Sequence, residues 1–183
     1  TLFRSDGAAG TGGAGRERGQ ARRSIRFGRR VSGVARLGRV PGTQIYYSIQ
    51  GNILRPGEVI PNAVKAFLHT KGALTDRVMA ALETADQYGG DSRCVCPPLP
   101  ADGSAPASPC EGRTSYIAYI LMANSNDTSG DSHSNGTYAM YLTVVQPEQG
   151  GPNAIKAGEN LNPVKTLRAR YDVWRKRQPK SFS

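Results

Sequence analysis

Apolar runs of strand length occur at three places in the chain. Residues 44–54 are rich in β-branched and aromatic side chains and stop at a Pro-Gly pair, which predicts a strand. Residues 114–124 are almost continuously apolar, so we expect a central strand that is covered on both faces. Residues 137–146 have the same character and predict its hairpin partner. The connection at 124–136 consists almost entirely of small polar residues, which favours a solvated loop.

Helical periodicity marks three further segments. Residues 58–69 carry apolar side chains on one helical face and have a proline in the first turn, where proline is tolerated. Residues 74–88 follow the same period and stop at a pair of glycines. A third helix is predicted to begin after an Asn162 cap and to end in basic residues, which suit the helix dipole. Its first position is Pro163, and its predicted buried stripe is Val164, Leu167, Tyr171 and Trp174.

These elements together indicate an α+β fold. The order is strand, two helices, two strands and a closing helix, which fits layers of helices and strands around one core. The segment that holds them has about 140 residues, enough for one domain with a substantial hydrophobic core. We assign this domain to residues 41–178 and treat residues 179–183 as a tail.

Charge separates the first forty residues from the rest. Residues 1–40 carry ten Arg, no Lys, two acidic residues and nine Gly, whereas residues 41–183 are close to neutral. The net charge of +10 is therefore mostly a property of the N-terminal segment. With few large apolar side chains, this segment is predicted to be disordered, because it cannot bury enough surface to offset the entropy of ordering.

The origin of this basic segment has two interpretations. An Arg/Gly arm can bind RNA or DNA by neutralising phosphates, and such binding would depend strongly on salt. Against this, the segment has no Lys and lacks the interleaved aromatics of an RNA-binding tail. Out-of-frame translation of GC-rich DNA also yields Arg, Gly and Ala, and the opening Thr-Leu-Phe-Arg-Ser resembles translated sequencing adapter of an environmental assembly. We favour this second interpretation, which makes the chain a fragment and nucleic acid an unlikely partner.

Three cysteines lie close together in a Pro-rich loop, at Cys94, Cys96 and Cys110. Their spacing lacks the four regular ligands of a zinc site. A disulfide is favoured, with Cys94–Cys110 the preferred pair, Cys96–Cys110 the next, and reduced structural thiols the alternative. A bridge closing this loop would contribute about 3 kcal/mol and would imply a secreted or periplasmic protein. Neither a membrane-spanning run nor a signal peptide is visible in the chain.

Other metal and catalytic constellations are weak. Asp127 and Asp131 lie in the polar loop without the ligand spacing of an EF-hand, so no metal or cofactor is expected. Ser115 opens the second strand, but a serine triad would need a base nearby. The two histidines, His69 and His133, lie on a predicted helix and a loop tip.

Several motifs are similar to those of a known family. They are Tyr-Ser-Ile-Gln-Gly-Asn-Ile-Leu at 47–54, Leu-Thr-Asp-Arg-Val-Met-Ala-Ala-Leu-Glu at 74–83, Gly-Gly-Asp-Ser-Arg-Cys at 89–94, and Asn-Pro-Val-Lys-Thr-Leu-Arg at 162–168. Over about 45–178 the chain resembles the C-terminal part of the domain of unknown function 1028 family, of the secreted, Cys-containing bacterial type. The resemblance implies an N-terminal-nucleophile (Ntn) hydrolase-like fold, a four-layer αββα sandwich of which this chain holds a part. It also implies hydrolysis of an amide or peptide-like bond in an unknown substrate.

The resemblance raises the question of the nucleophile. Ntn hydrolases use an N-terminal Thr, Ser or Cys whose α-amine, with a pKa of about 7.7–8.0, serves as the base. Thr1 opens a Gly-rich stretch rather than a buried strand, so we do not assign it this role. The nucleophile is expected to be absent from this chain, which should be inactive as given.

The remaining candidates are substrate-binding residues. Gln50, Gly51 and Asn52 place two amides around a residue that permits close backbone approach, which suits an oxyanion or a substrate carbonyl. The alternative is a strand-end turn. Asp91 and Arg93 are candidates to position a charged substrate group, or form a surface ion pair beside the cysteine loop.

Arg77 is a candidate to face inward or to pair with Asp91. The expected partners are a small-molecule or peptide-like substrate and further copies of the chain. The alternative function is a non-catalytic ligand-binding or oligomeric scaffold domain.

Overall fold

The computed structural model describes residues 21–27, 30–55, 57–94, 113–123 and 138–178. The strands are β1 (Ala21–Phe27), β2 (Arg30–Arg39), β3 (Tyr46–Asn52), β4 (Ile117–Met122) and β5 (Met140–Val145). The helices are α1 (Val59–His69), α2 (Leu74–Gln87) and α3 (Pro163–Arg177), with a 3-10 turn at Pro147–Gln149. The α+β class and each predicted helix and strand are confirmed, with bounds within about three residues of those expected.

The first sheet has the antiparallel order β1-β2-β3. Strand β2 pairs with β3 along its length, from Gly33 opposite Asn52 to Arg39 opposite Tyr46. The structure therefore differs from the expected domain boundary at residue 40, because Arg30–Arg39 lies within the sheet. This stretch is ordered by backbone hydrogen bonds to β3, a strand that comes later in the sequence. Local composition does not reveal such pairing.

The second sheet is the predicted hairpin of β4 and β5, with Ile117 opposite Val145 and Met122 opposite Met140. The expectation that β4 is covered on both faces is wrong. Ala118 and Ile120 are 5% and 3% exposed, whereas Ile117 and Tyr119 are 47% and 40% exposed. The packed helices cover one face only, and the continuous apolar run does not distinguish the two faces.

The helices form the layer that covers the sheets. Helix α1 contacts β2 and β3, helix α3 contacts β4 and β5, and α2 lies against α1, α3 and β4. Their apolar stripes meet the inward side chains of the strands in one core. Its fully buried members include Ile49, Val59, Phe67, Met79, Val144, Leu167 and Tyr171. Within the described ranges, no helix is both long and apolar enough to cross a bilayer.

The start of α3 forms as the sequence predicts. Asn162 Oδ1 accepts a hydrogen bond of 2.9 Å from the Val164 backbone N–H, and Pro163 occupies the first turn. Further along the helix, Arg170 donates to the carbonyls of Asn153 (3.1 Å) and Ala154 (2.9 Å) and pairs with Glu159 at 2.6 Å. These bonds join α3 to the segment that follows β5.

A cluster of buried polar side chains joins the end of α2, the entry to β4 and the start of α3. Asp86, near the end of α2, accepts hydrogen bonds from Thr114 Oγ1 and, at 2.6 Å, from Asn162 Nδ2. All three residues are at most 8% exposed. Because a buried carboxylate is stable only when its oxygens are hydrogen-bonded, this cluster fixes the end of α2, the entry to β4 and the start of α3 relative to one another.

Replacement of Asn162 by Ala is expected to lower the free energy of unfolding by about 2–3 kcal/mol. The change removes the α3 cap, worth about 1 kcal/mol, and one of the hydrogen bonds to the buried Asp86 carboxylate. Urea denaturation measures the loss. The matched control is Asn52→Ala, at an exposed position, which should change stability by less than about 0.5 kcal/mol. Equal effects of the two changes would contradict a structural role for the cluster.

Tyr171 predicts an alkaline loss of stability. Its hydroxyl donates to Asp76 Oδ1 at 2.5 Å and lies 2.9 Å from Thr75 Oγ1. Burial, followed by the bond to Asp76, raises the pKa of Tyr171 from 10.0 to about 12. The folded state therefore favours the neutral phenol, and the stability from this group is present below pH 10 and lost as the pH rises to about 12.

The measurement is the free energy of unfolding from pH 9 to 12 in the native chain and in Tyr171→Phe. At neutral pH the variant should be less stable by about 1–2 kcal/mol, because Asp76 and Thr75 lose a partner. The difference between the two proteins should shrink at high pH. The control Tyr119→Phe removes an exposed phenol and should run parallel to the native chain, and a constant deficit for Tyr171→Phe would refute the assignment.

Candidate functional site

The backbone turns sharply where β3 ends. Ile53 has φ = 54°, in the left-handed region, and it is the one non-glycine residue with positive φ among the described residues. A β-branched side chain is strained in this conformation, because its Cβ is crowded by the backbone. The side chain of Ile53 is nevertheless 47% exposed. Strained residues of this kind concentrate at functional sites, so the turn marks a candidate site.

A second turn holds Ile53 in this conformation. The Ile53 carbonyl accepts hydrogen bonds from the Ser92 backbone N–H (2.8 Å) and from Ser92 Oγ (2.9 Å). The Arg55 N–H donates to the Gly90 carbonyl at 2.9 Å, and Leu54 forms a β-bridge with Asp91. The motifs at 47–54 and 89–94, which are separate in the sequence, therefore form one site.

The three residues Gln50, Gly51 and Asn52 divide between the two faces of β3. Pleating places Gln50 and Asn52 on the outward face with the exposed Tyr46, and Asn52 is itself exposed. Gly51 belongs to the inward face, where an added Cβ would lie 2.0 Å from Leu54 Cδ1 and 3.3 Å from Ile60 Cδ1. The small size of Gly51 thus serves packing in this structure, and the two amides remain available to a ligand.

Asp91 and Arg93 form the expected ion pair. Asp91 Oδ1 accepts from the Arg93 backbone N–H and from Arg93 Nε, both at 2.9 Å, and Arg93 Nη2 lies 2.5 Å from Asp91 Oδ2. These hydrogen bonds from Arg93 lower the pKa of Asp91 below its ordinary value. The pair holds the Arg93 guanidinium in a defined direction although the Arg93 side chain is 59% exposed.

Arg77 lies elsewhere and has a different role. Its Nη1 donates to the backbone carbonyls of Phe67 (3.1 Å) and Leu68 (3.2 Å), in the last turn of α1. The last carbonyls of a helix need hydrogen-bond donors from outside the helix, so the two bonds from Arg77 stabilise the end of α1 and suit its dipole. Of the two alternatives for Arg77, the structure shows contacts to α1, which orient the side chain inward, rather than a pair with Asp91.

A tyrosine and a second arginine complete the site. The guanidinium carbons of Arg93 and Arg113 each lie 5.9 Å from the centre of the Tyr116 ring, within cation–π range. Arg113 Nη1 donates to Gln146 Oε1 at 3.0 Å and to Glu148 Oε1 at 2.8 Å. Arg113 and Tyr116 were not singled out from the sequence, because Tyr116 reads there as part of a strand and Arg113 as an isolated charge.

Cys94 lies beneath this cluster as a buried free thiol. Burial, with a smaller contribution from the Asp91 carboxylate, raises the pKa of Cys94, so the unreactive thiol form predominates at neutral pH. Cys96 and Cys110 lie outside the described residues, so the preferred Cys94–Cys110 bridge and the alternative Cys96–Cys110 bridge both stay predictions.

The remaining sequence candidates do not join this site. Ser115 Oγ is buried and has no hydrogen-bond partner in the described part of the chain. Thr1, Asp127, Asp131 and His133 lie outside the described residues. His69 lines a shallow polar groove of about 350 Å³ between α1 and α2, together with Asn62, Lys65 and Gln87. Among the described residues, no group of three or more His, Cys, Asp or Glu side chains is arranged to hold a metal ion.

The two turns and β3 all fall within a segment that matches a known family. Residues 29–97 match the family model described as a family of unknown function, DUF1028. This segment belongs to that family. The match begins at residue 29 and so includes β2, in agreement with the pairing of β2 and β3. No curated protein and no solved structure matches the chain.

Replacement of Ile53 by Gly is expected to leave the melting temperature unchanged or to raise it by up to a few degrees. Glycine adopts positive φ without strain, which offsets its greater entropy in the unfolded chain. The control is Leu161→Gly, at a position that is 66% exposed and has negative φ. The control should be destabilised by about 0.5–1 kcal/mol. Differential scanning fluorimetry compares the two, and an equal loss in both variants would show that Ile53 is not strained.

Proposed function

We propose that this DUF1028 segment contributes the substrate-binding part of an amide-hydrolysing protein of the Ntn type. The observation that carries the proposal is the strained Ile53 turn, which directly follows the outward-facing Gln50 and Asn52 and is hydrogen-bonded to the turn that holds the Asp91–Arg93 pair. Side-chain amide N–H groups carried by a strand are suited to hydrogen-bond a substrate carbonyl, and the bonds strengthen as negative charge develops on its oxygen. Hydrolysis would add water across the C–N bond and release an acid and an amine.

The proposal gives the described residues a binding role rather than a nucleophilic one. The Cys94 thiol is buried and its pKa is raised, and Ser115 Oγ is buried as well. A nucleophile must be able to approach the substrate carbonyl and must be activated by a base, and neither group meets both requirements. We therefore expect Cys94 and Ser115 to have no part in cleavage, and the described residues to contribute binding of the amide.

The same observations favour a second function of another class. A domain that presents amides and a fixed guanidinium around a strained turn can bind a ligand without chemistry. The two functions differ in turnover. Acylated amino-acid anilides, whose hydrolysis releases a coloured aniline, distinguish a hydrolase from a binder when they are tested on any version of the protein that also carries a nucleophile.

The binding prediction can be checked on the chain itself. N-acetylglycinamide, a neutral diamide, is titrated into the protein and followed by NMR. Gln50→Glu and Asn52→Asp keep the side-chain shape but replace the N–H donors with acceptors, so each should weaken binding about tenfold through one lost hydrogen bond, worth about 1.4 kcal/mol. Chemical-shift changes should centre on β3 and on the turn at Ser92.

The control variant is Gln178→Glu, at the far end of α3, which makes the same chemical change away from the turn and should leave the affinity unaltered. Failure of the diamide to bind would contradict the proposal. Binding with equal affinity by all four proteins would also contradict it, because the amides would then have no part in recognition.

A further inference from the structure

We propose that Arg93 and Arg113, on the ring of Tyr116, bind the carboxylate group of the ligand. The inference extends the proposed function, on which it rests for the amide end of the ligand. The carboxylate itself is assigned from the contacts of the two arginines. The ligand class is a small N-acyl amino acid or a peptide-like acid.

Both guanidinium groups are held in place before a ligand arrives. Arg93 is fixed by the side chain of Asp91, to which it donates through Nε and Nη2. Arg113 is fixed by Gln146, which is 2% exposed and is itself anchored through its Nε2 to the Ser115 carbonyl at 3.4 Å. Side chains that are already ordered lose less entropy on binding, so a fixed arginine binds an anion more tightly than a mobile one.

The second carboxylate of the cluster is exchangeable. Glu148 is the middle residue of the short 3-10 turn after β5, and its side chain is 62% exposed. An exposed ion pair of this kind contributes about 0–1 kcal/mol, because water competes with it for both partners. Displacement of Glu148 from Arg113 by a ligand carboxylate would therefore cost little free energy. The ligand carboxylate could then bind Arg113 through both oxygens, in the planar geometry that a guanidinium prefers.

Tyr116 supplies the apolar surface of the site. The residue is 43% exposed, and its ring lies within cation–π range of both guanidinium groups. The Asp91 side chain is only 17% exposed and accepts four hydrogen bonds from Arg93, so it stays in place when a ligand binds. The site then has two cations and one retained carboxylate in the ligand-bound state, which leaves one positive charge for a monoanion.

The test compares two probes that differ only at one end. N-acetylglycine carries a carboxylate, and N-acetylglycinamide carries an amide at the same position. At low ionic strength, calorimetry or NMR titration should show the acid binding about tenfold more tightly than the amide. A hydrogen bond to a charged group contributes about 1.4 kcal/mol more than a neutral one, which corresponds to that factor in affinity. Arg113→Gln should abolish the preference, and Arg113→Lys should keep only part of it, because lysine lacks the planar fork.

Glu148→Gln provides a prediction in the opposite direction. Removal of the internal competitor should raise the affinity for N-acetylglycine by up to about fivefold, the factor that corresponds to about 1 kcal/mol. Asp172→Asn is the matched control: it makes the same change in net charge at an exposed α3 position, paired with Arg168 at 3.2 Å. The control should leave the affinity unchanged. Because Glu148 is exposed, its replacement should not unfold the protein. The Glu148→Gln measurement therefore tests the carboxylate site even if an arginine variant is unstable.

Three outcomes would overturn the inference. They are equal affinities for acid and amide, an Arg113→Gln variant that keeps the preference, and equal effects of Glu148→Gln and Asp172→Asn. Inorganic phosphate that binds as tightly as the acid would replace the carboxylate site with a general anion site. The role of the two arginines can be tested separately from the role of Gln50 and Asn52. If N-acetylglycinamide does not bind, the amide prediction fails, but the effects of the Arg113 and Glu148 variants on N-acetylglycine affinity can still be measured.

Discussion

The buried carboxylate of Asp86 is the constraint on which the arrangement of the site depends. It accepts from Thr114 Oγ1 and Asn162 Nδ2, so the end of α2, the entry to β4 and the start of α3 share one acceptor. The Thr114 carbonyl then accepts the Asp91 N–H at 2.8 Å, and Gly90 lies against the same residue, where a Cβ would be 2.5 Å from that carbonyl oxygen. A buried carboxyl group is stable only when it is hydrogen-bonded, which makes this arrangement strongly preferred over looser ones.

The effect of this cluster reaches the surface through the turn at 89–94. Ser92 donates two hydrogen bonds to the Ile53 carbonyl, and the Arg55 N–H donates to the Gly90 carbonyl. The strained turn after β3 is therefore held by the turn at 89–94, which is itself held by Thr114. The cost of a left-handed isoleucine is of order 1–3 kcal/mol, and it persists only where surrounding bonds over-determine the conformation. The hydrogen bonds that run from Asp86 to Ile53 meet that condition and explain how a strained turn can stay fixed while it is exposed.

The outward faces of the sheets carry exposed side chains, whereas the inward faces are buried, and this difference bears on function. Ile117, Tyr119 and Leu121 alternate with buried neighbours and are 40–47% exposed. The same alternation on β3 sets Gln50 and Asn52 outward and Tyr47 and Ile49 inward. Since the helices cover only the inward faces, the outward faces are where polar groups can meet a ligand and where apolar groups contact solvent in the described structure.

The sequence alone determined the three helices, the strands β3 to β5 and their local ends. Period, apolar runs, the Asn162-Pro163 cap and the paired glycines after α2 are local signals, and the helices and strands they predict are all present. Local signals also gave the Asp91–Arg93 pair, since two residues that close in sequence meet without help from the fold. The tertiary structure decided the rest. It placed Arg30–Arg39 in a sheet, left one face of β4 exposed and directed Arg77 to the end of α1. It also brought Arg113, Tyr116 and the strained Ile53 to the turn at 89–94. Each of these depends on contacts between residues far apart in the chain, whose free energy no local pattern of residues encodes.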